Sequence, residues 1–317
     1  MNPQRDNSQP DPQFDEQVTN ILKTWQNGEF PFREAVAQLL LHKQQATADE
    51  QLANQARAEH ILGNLQYYRG NPDTSAQHWT RARDLYQQAG NIDFATSMEM
   101  NLGEYYRLKG DLTLALSKYR ISQKSAKKFN NIRNLCIGTV NEGHVLVSLE
   151  QYDDALKAFN IGLELSTQLD DGDLGVATMR CEAYHGMAIV YLHRDDNQAA
   201  WEHALKALDV AERDGQPLQN GLANRIMGIV VTKLEKAPNP QFSSDPDHYF
   251  RKAIESFRKV DAETELPITV FSQAVSMLKR GKNKSATRKL HQAIADFNRL
   301  GMVGDVARAE KVQQEII

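Results

Sequence analysis

Apolar side chains return at steps of three and four residues along most of the chain, the spacing of one face of an α-helix. In the clearest segment the series is Tyr105, Leu108, Leu112, Ala115, Leu116 and Tyr119. The pair Gly110-Asp111 interrupts this series, and glycine readily adopts the left-handed conformation that ends a helix. The pattern therefore predicts pairs of amphipathic helices joined by tight turns.

The same pattern recurs at a fixed interval, which indicates internal repetition. Gly63, Gly103 and Gly143 are 40 residues apart, and Gly228 lies 85 residues further on, with Ala188 45 residues into that gap. A glycine within a helix costs roughly 1 kcal/mol relative to alanine. Its recurrence therefore predicts that a second backbone approaches closely at each position. Six copies, from about residue 52 to about residue 298, leave little room for another domain.

The second copy shows the residues that define the repeat most clearly. It contains Leu102-Gly103, Tyr106, Gly110-Asp111, Ala115 and Tyr119. This order of residues resembles the tetratricopeptide repeat over about four fifths of the chain, although each unit is about six residues longer than the usual 34. Units of this length are similar to those of Leu-Gly-Asn repeat proteins, bacterial Rap-type regulators and the sensor arms of some large transcription activators.

The resemblance implies an all-α, right-handed superhelical solenoid of antiparallel helix hairpins. The physical reason is that neither helix of a pair can bury its apolar stripe alone, so the units stack and share one continuous core. We expect about six repeats, preceded by a helix pair and followed by a capping helix. The first helix of every pair should line the concave inner face.

The two ends of the chain depart from the repeat. Residues 1–13 are polar and include three prolines, so we expect a disordered tail. Residues 14–45 predict a helix hairpin, which either caps the first repeat or serves as a docking element, as the resemblance to Rap-type regulators allows. Residues 301–317 predict a C-terminal capping helix.

A third departure lies within the solenoid, which we expect over residues 50–300. Residues 236–247 carry three prolines and replace a tight turn by a long loop. Such loops often carry function, and Phe242 at the centre of this loop could reach a ligand or a neighbouring chain. A loop without a role is an equally good interpretation.

Composition narrows the range of functions. The net charge of −4 gives no general attraction to nucleic acid or anionic lipid. No apolar stretch approaches the length of a membrane span, and the amino terminus lacks the apolar core of a secretory signal. Two cysteines do not suggest an oxidised, secreted scaffold. We therefore expect a cytoplasmic protein, and its oligomeric state stays open.

Motifs for catalysis, metal binding or cofactor binding are not recognisable. The nine histidines are scattered, without the His-Glu-x-x-His spacing of a zinc site. The repeat glycines do not fall in the spacing of a phosphate-binding loop, and no Gly-x-Ser-x-Gly elbow occurs. The pair His185 and His193 favours a surface or groove position over a metal site. We predict a protein that is not an enzyme and needs neither metal nor cofactor.

The candidate binding residues follow from the repeat offsets of the first helices. Asparagine is a middling helix former, yet Asn101 and Asn141 occupy matching offsets. An amide side chain offers both a donor and an acceptor, which suits the main chain of a bound peptide. The alternative is that these asparagines are solvated or bond to the next helix. The full predicted set comprises Arg57, His60, Asn64, Asn101, Glu104, Arg107, Asn141, His144, His185 and Arg225.

Two basic runs, residues 118–133 and 279–289, fall mostly on second helices or turns, which should face outward. Without interleaved aromatic residues they favour a solvated surface over nucleic-acid binding. We therefore expect a non-enzymatic scaffold or adaptor that binds a peptide or helical segment of a partner protein in the groove. The alternative is a peptide-responsive regulatory receptor that controls a signalling or transcription protein through residues 14–45.

Overall fold

The computed structural model describes residues 8–170 and 175–315, and within these ranges the protein consists of fifteen helices and no strand. The helices are α1 (Pro12–Gln26), α2 (Phe32–Ala48), α3 (Leu52–Tyr68), α4 (Pro72–Gln88), α5 (Ile92–Leu108), α6 (Leu112–Lys128), α7 (Ile132–Ser148), α8 (Tyr152–Ser166), α9 (Val176–His193), α10 (Asn197–Asp214), α11 (Pro217–Leu234), α12 (Pro246–Lys259), α13 (Glu265–Lys279), α14 (Asn283–Arg299) and α15 (Val303–Gln314).

The turns between helices repeat one piece of local chemistry. The backbone of Gly110 has a φ of 83°, which ends α5 in the left-handed region where a side chain would be strained. Asp111 then starts α6, because its carboxylate accepts a hydrogen bond from the backbone N–H of Leu114 at 2.9 Å. Asn131 starts α7 in the same way through the N–H of Asn134. Residues within each turn therefore determine where one helix ends and the next begins, as the sequence predicted.

Consecutive helices pack as pairs, and in the described chain these pairs are α3/α4, α5/α6, α7/α8, α9/α10, α11/α12 and α13/α14. The first helices also contact one another, α5 with α7, α7 with α9, α9 with α11 and α11 with α13. They form an inner layer, with the second helices outside. The predicted all-α, tetratricopeptide-like solenoid is confirmed.

The repeat glycines make room for aromatic rings. A Cβ added to Gly63, Gly103 or Gly143 would lie 2.6 Å or less from a ring atom of the residue 16 positions later on the second helix. Those rings belong to Trp79, Tyr119 and Phe159. The fourth pair instead carries alanine at both positions. The expectation of a second backbone at these glycines was wrong, because the neighbour is a side chain.

The solenoid closes on itself along a line of contacts that we call the seam. There the turns after α3 and α5 meet the turns after α12 and α14. The backbone N–H of Thr264 donates to the carbonyl of Tyr68 at 3.3 Å, and Arg69 pairs with Glu263 at 2.6 Å. A Cβ added to Gly110 would lie 3.1 Å from the Cα of Gly304. The first two repeats therefore touch the last two.

The seam also has an apolar part. Leu108 at the end of α5 shares one buried cluster with Phe271 of α13 and with Leu300 and Met302 of the turn before α15. The guanidinium of Arg308 lies over the ring of Phe271 at 5.1 Å. The C-terminal helix α15 thus packs against both ends of the array. Its predicted range, residues 301–317, extends slightly past the described residues.

The N-terminal hairpin is more than a lid on the first repeat. Trp25 of α1 is buried against Tyr68, with ring centroids 5.6 Å apart. The same apolar cluster continues into α11 and α12 through Leu222, Phe257 and Val260. The hairpin therefore bridges the first and fifth repeats. Whether it also docks a partner remains a prediction.

Part of the predicted tail is held against the body. Residues 1–7 lie outside the described residues, but α1 begins at Pro12 and is capped by the side chain of Asp11. The carbonyl of Ser8 accepts a hydrogen bond from Asn91 at 3.0 Å, and the N–H of Asp11 donates to Asn54 at 2.8 Å. The expectation of disorder through residue 13 was therefore wrong for the described part of the tail.

The proline-containing loop also folds back on the protein. It joins the end of α11 at Leu234 to Pro246, so the last two residues of the predicted range 236–247 belong to α12. Phe242 is half-buried and meets Trp201 of α10 edge-on, with ring centroids 5.5 Å apart. In this structure Phe242 therefore covers α10 and does not reach outward.

Among the helices of the described chain, none combines the length and apolarity that crossing a bilayer demands.

Candidate functional site: the inner face

Polar side chains from the first helices collect on the concave side of the solenoid, which we call the inner face. They remain partly open to solvent, since the side chain of Glu182 is 30% exposed and that of His144 25% exposed. The positions that point inward are spaced three or four residues apart on each helix, because that spacing keeps side chains on one face. The inner face is therefore a concave polar surface.

The first group on the inner face is centred on Glu104 of α5. One of its oxygens accepts hydrogen bonds from the hydroxyl of Tyr67 at 3.1 Å and from Nε of Arg107 at 2.9 Å. The other oxygen accepts a bond from the hydroxyl of Tyr119. Burial alone would raise the pKa of Glu104. The Arg107 charge and these hydrogen-bond donors have the larger, opposite effect, so the pKa of Glu104 lies below its usual value. The carboxylate is thus fixed and fully paired.

The second group joins α7 to α9. Nε2 of His144 lies 3.2 Å from a carboxylate oxygen of Glu182, and the rings of His144 and His185 are 6.2 Å apart. Burial, with the nearby positive charge of Arg225, lowers the pKa of His185 to about 3. Burial alone would raise the pKa of Glu182, but the close contact with His144 and the electrostatic influence of the two histidines and Arg225 lower it to about 2. At neutral pH His185 is therefore uncharged and Glu182 ionised.

The third group joins α11 to α13. Arg225 donates to a carboxylate oxygen of Glu265 at 2.6 Å, and its guanidinium lies 5.5 Å from the centroid of the Phe257 ring. Burial raises the pKa of Tyr68 on α3, and the charges of Glu265, Glu182 and Glu104 act in the same direction. Groups on α3, α5, α9 and α13 therefore influence one another electrostatically.

The structure brings five of the ten sequence-predicted residues into these groups, namely Glu104, Arg107, His144, His185 and Arg225. Asn101 and Asn141 are half-buried on the same face. The amide nitrogen of Asn101 contacts only the sulfur of Met98 at 4.0 Å, and Asn141 makes no hydrogen bond within the described residues. Their amides therefore keep hydrogen-bonding capacity for another molecule.

The other three predicted residues, Arg57, His60 and Asn64, use their polar groups in contacts within the protein. Asn64 accepts a hydrogen bond from Nε1 of Trp79 at 3.0 Å, which is the next-helix alternative considered for such asparagines. Arg57 pairs with Asp15 of α1 at 2.5 Å and contacts His60 at 3.3 Å. Burial and then the Arg57 charge lower the pKa of His60 well below its usual value. Helix α1 therefore covers this end of the first repeat.

Sequence reasoning missed four members of the inner face, namely Tyr67, Tyr68, Glu182 and Glu265. A usable signal was the repeat spacing itself. Glu265 follows its partner Arg225 by 40 residues, and Arg107 follows Tyr67 by 40. Partners on neighbouring first helices fall near one repeat length apart, so a search for opposite charges at that distance would have found the first pair.

The charged side chains of the inner face are paired with one another. Its carboxylates face guanidinium, hydroxyl or imidazole groups, and no nucleophile lies beside a base among the residues described above. No cluster of three or more metal-ligating side chains occurs in the residues that the structure describes. Paired charges together with open amides suit a bound main chain, which needs donors and acceptors in alternation.

Neither the protein-family models nor the curated proteins gave a match. Among solved structures, a Rap protein complexed with competence and sporulation factor is similar with a TM-score of 0.65 and 14% identity, over 94% of this chain and 83% of that one.

Two further structures support the same fold. The apo form of RapI gives a TM-score of 0.60 and 11% identity over 94% of this chain and 99% of that one. NprR in complex with its cognate peptide NprX gives a TM-score of 0.56 and 13% identity over 96% of this chain and 99% of that one. At such low identity the likeness concerns the fold. The chain is therefore a tetratricopeptide-like helical repeat protein whose fold resembles that of Rap-type regulators.

Proposed function

We propose that the protein is a non-enzymatic receptor that binds a short peptide, or an extended segment of a partner protein, on its inner face. The observation that carries this proposal is the convergence of buried and half-buried polar groups from α3, α5, α7, α9, α11 and α13 inside a closed solenoid. The similar NprR structure holds a cognate peptide, and the similar Rap structure holds competence and sporulation factor, which supports this assignment.

The two open asparagines give the proposed site its specificity for a main chain. An asparagine side chain can donate to one backbone carbonyl and accept from one backbone N–H. Asn101 and Asn141 lie one repeat apart on α5 and α7, so together they would hold two points of one extended segment. The fixed charges of Glu104 and Arg107, next to Asn101, would set which side chains the segment can carry.

The closed shape favours a regulatory receptor over a rigid adaptor. A ligand on the inner face contacts both halves of the array, which meet at the seam. The N-terminal hairpin shares one core with α11 and α12, so a change in pitch would move this hairpin. A ligand that binds two pitches unequally shifts the equilibrium between them. We propose that the hairpin passes this change to a signalling or transcription protein in the cytoplasm.

The binding site can be tested with a displayed library of random heptapeptides. We expect selected peptides to bind the wild-type protein and to bind the Asn101→Ala/Asn141→Ala variant about tenfold or more weakly, since each lost hydrogen bond is worth about 1 kcal/mol. The thermal midpoint should be unchanged. The control is Asn160→Ala, an exposed asparagine on the outer helix α8. Equal binding by the double variant contradicts the proposed site.

The regulatory mechanism can be tested separately by small-angle scattering. A receptor should change its radius of gyration when a selected peptide is added, because the pitch of the solenoid changes. An adaptor should bind the same peptide at one unchanged radius. An unchanged radius with normal binding would leave the peptide site intact and exclude the regulatory mechanism.

A further inference from the structure

A groove on the outer surface lies between α6 and α8, with α7 as its floor, and we call it the outer groove. Its volume is about 530 Å³. Its floor is apolar and is formed by Leu135, Leu146, Ala158, Ile161 and Leu165, while polar and charged side chains of α6, α7 and α8 complete the lining. This surface is on the convex side of the solenoid, away from the inner face.

The equivalent grooves of the two preceding units are closed by ion triads. Between α2 and α4, Glu59 of α3 binds Lys43 at 2.7 Å and His78 at 2.5 Å. One repeat later, between α4 and α6, Glu99 of α5 binds Arg83 at 3.4 Å and Lys118 at 2.5 Å. Each member of the second triad follows its counterpart by 40 residues. In both units, three equivalent positions therefore carry a carboxylate and the two basic groups that bind it.

In the third unit the same three positions carry no charge. Adding 40 to Arg83, Glu99 and Lys118 gives Gln123, Thr139 and Ala158. All three line the outer groove. The amide of Gln123 turns aside to bond the carbonyl of Gly138 at 3.0 Å and the carboxylate of Glu142 at 2.7 Å. The groove is open because the ion triad that fills its neighbours is missing.

The next groove along the array, between α8 and α10, is filled in another way. There the ring of Tyr184 on α9 lies 6.2 Å from that of His203, and Nζ of Lys206 lies 5.9 Å from the centroid of the Tyr184 ring. The opening above α7 is therefore a local feature of the third unit. A general property of the repeat would have left the flanking grooves open as well.

The α6 edge of the outer groove is basic, whereas on the α8 edge Asp154 is paired with Lys157 at 2.9 Å. Helix α6 has five lysine or arginine residues and no acidic residue, in a chain whose net charge is −4. Two of the basic residues, Arg120 and Lys127, line the groove itself. Arg120 contacts Glu142 at 3.0 Å yet stays 60% exposed. Ile161 at the mouth of the groove is 49% exposed. Such a surface matches a ligand with one apolar face and acidic flanks.

We propose that the outer groove docks an amphipathic helix of a partner protein, with apolar residues against α7 and α8 and acidic residues beside α6. A helix suits the site because a groove between two helices accepts apolar residues spaced three and four apart on a third. The apolar floor favours a protein segment over nucleic acid, which would bury its charged backbone there. This site is separate from the inner face, so both can be occupied together.

The test uses a variant that the protein itself suggests. The substitutions Gln123→Arg, Thr139→Glu and Ala158→Lys together copy into the third unit the triad of the second unit. This variant should fold with an unchanged thermal midpoint, because the same triad is accommodated one repeat earlier. The probe is an 18-residue helical peptide with leucine at alternating third and fourth positions and glutamate on its flanks. A matched peptide carries lysine in place of glutamate.

Isothermal titration should show that the glutamate peptide binds the wild-type protein at least about tenfold more tightly than the lysine peptide, a difference of about 1.4 kcal/mol. The triad variant should bind the glutamate peptide more weakly than the wild-type protein does, by at least the same factor. Equal binding to the variant, preference for the lysine peptide, or no binding of the glutamate peptide would overturn the proposal. So would two other results, a dimer that the triad variant abolishes and displacement of the peptide by single-stranded DNA.

Discussion

Gly103 of α5 lies directly beneath the ring of Tyr119 of α6, and a Cβ at Gly103 would stand 2.5 Å from Cε1 of that ring. Tyr119 cannot move away, because it is fully buried and its hydroxyl is bonded to Glu104. A single absent methyl group thus sets the distance between the two helices. The same relation joins Gly143 to Phe159, where the distance is 2.6 Å.

The first prediction follows from this contact. Gly103→Ala should lower the free energy of unfolding by about 1 to 2 kcal/mol, since overpacking outweighs the better helix propensity of alanine. The control is Gly138→Ala on α7, where the added Cβ would meet the more flexible side chain of Gln123 at 3.0 Å. Urea denaturation of both variants is the measurement. A loss at position 138 as large as that at 103 would contradict the packing argument.

The second prediction concerns Ala115, which precedes Tyr119 by about one turn of α6. Ala115 on α6 is fully buried. Ala115→Glu should destabilise the array by several kcal/mol, since it combines overpacking with an unpaired buried charge. The same charge change at an exposed position of α6, Ser117→Glu, is the matched control. Thermal denaturation should separate the two clearly, and an unchanged midpoint for Ala115→Glu would refute the register of the helices.

The third prediction concerns the Glu104 group. Glu104→Ala leaves the half-buried Arg107 without its carboxylate, so we expect a loss of about 2 to 3 kcal/mol. The double variant Glu104→Ala/Arg107→Ala should be more stable than Glu104→Ala, because no unpaired charge remains. A double-mutant cycle by urea denaturation measures this coupling. Simple additivity of the two single variants would show that the ion pair contributes nothing.

The fourth prediction concerns pH. The pKa of His185 in the folded protein, about 3, is below its usual 6.5, so the folded state favours the neutral ring. Its contribution to stability is complete above pH 6.5 and is lost as pH falls towards 3. The loss has a slope of up to about 1.4 kcal/mol per pH unit. The low pKa of Glu182, about 2, acts at lower pH, below 4.5.

His185→Gln should therefore flatten the dependence of stability on pH between 6.5 and 4.5. It should not abolish this dependence, because the pKa of His60 is also lowered by burial. Urea denaturation across this pH range is the measurement. Identical slopes for the variant and the wild-type protein would show that His185 is not held neutral by the fold.

The fifth prediction concerns the seam. Gly304→Trp would force a ring between α15 and the turn at Gly110, so the solenoid should open and its radius of gyration should rise in small-angle scattering. Val303→Trp is the matched control, since Val303 is adjacent and 56% exposed. The control should keep the radius of the wild-type protein. An equal radius for both variants would mean that the two ends of the array do not meet in solution.

Much of the fold could be predicted from the sequence because its determinants are local. Helix length, turn glycines such as Gly110 and caps such as Asp111 act within a few residues, and the 40-residue period repeats them. The period also placed Glu104, His144 and Arg225 on one face. These inferences needed no knowledge of how distant parts of the chain meet.

The seam and the role of α1 could not be predicted in the same way, because they depend on the pitch of the whole superhelix. Pitch accumulates from small rotations at each unit, and no single residue records it. That is why Arg57, expected to be open, is instead paired with Asp15, and why Glu265 was missed although Arg225 was found. The predicted end of the disordered tail was wrong for the same reason, since Asn54 and Asn91 lie far along the chain from Asp11 and Ser8, to which they are hydrogen-bonded.

Closure at the seam has a consequence for how this architecture can change over time. An open array can gain or lose a whole unit with little harm, because each unit touches only its neighbours. Here an inserted or deleted unit would separate Gly110 from Gly304 and leave Trp25 without its partners on α12. The number of units is therefore fixed by geometry, and diversification is confined to side chains, as in the third unit, where three substitutions turn a filled surface into a cleft.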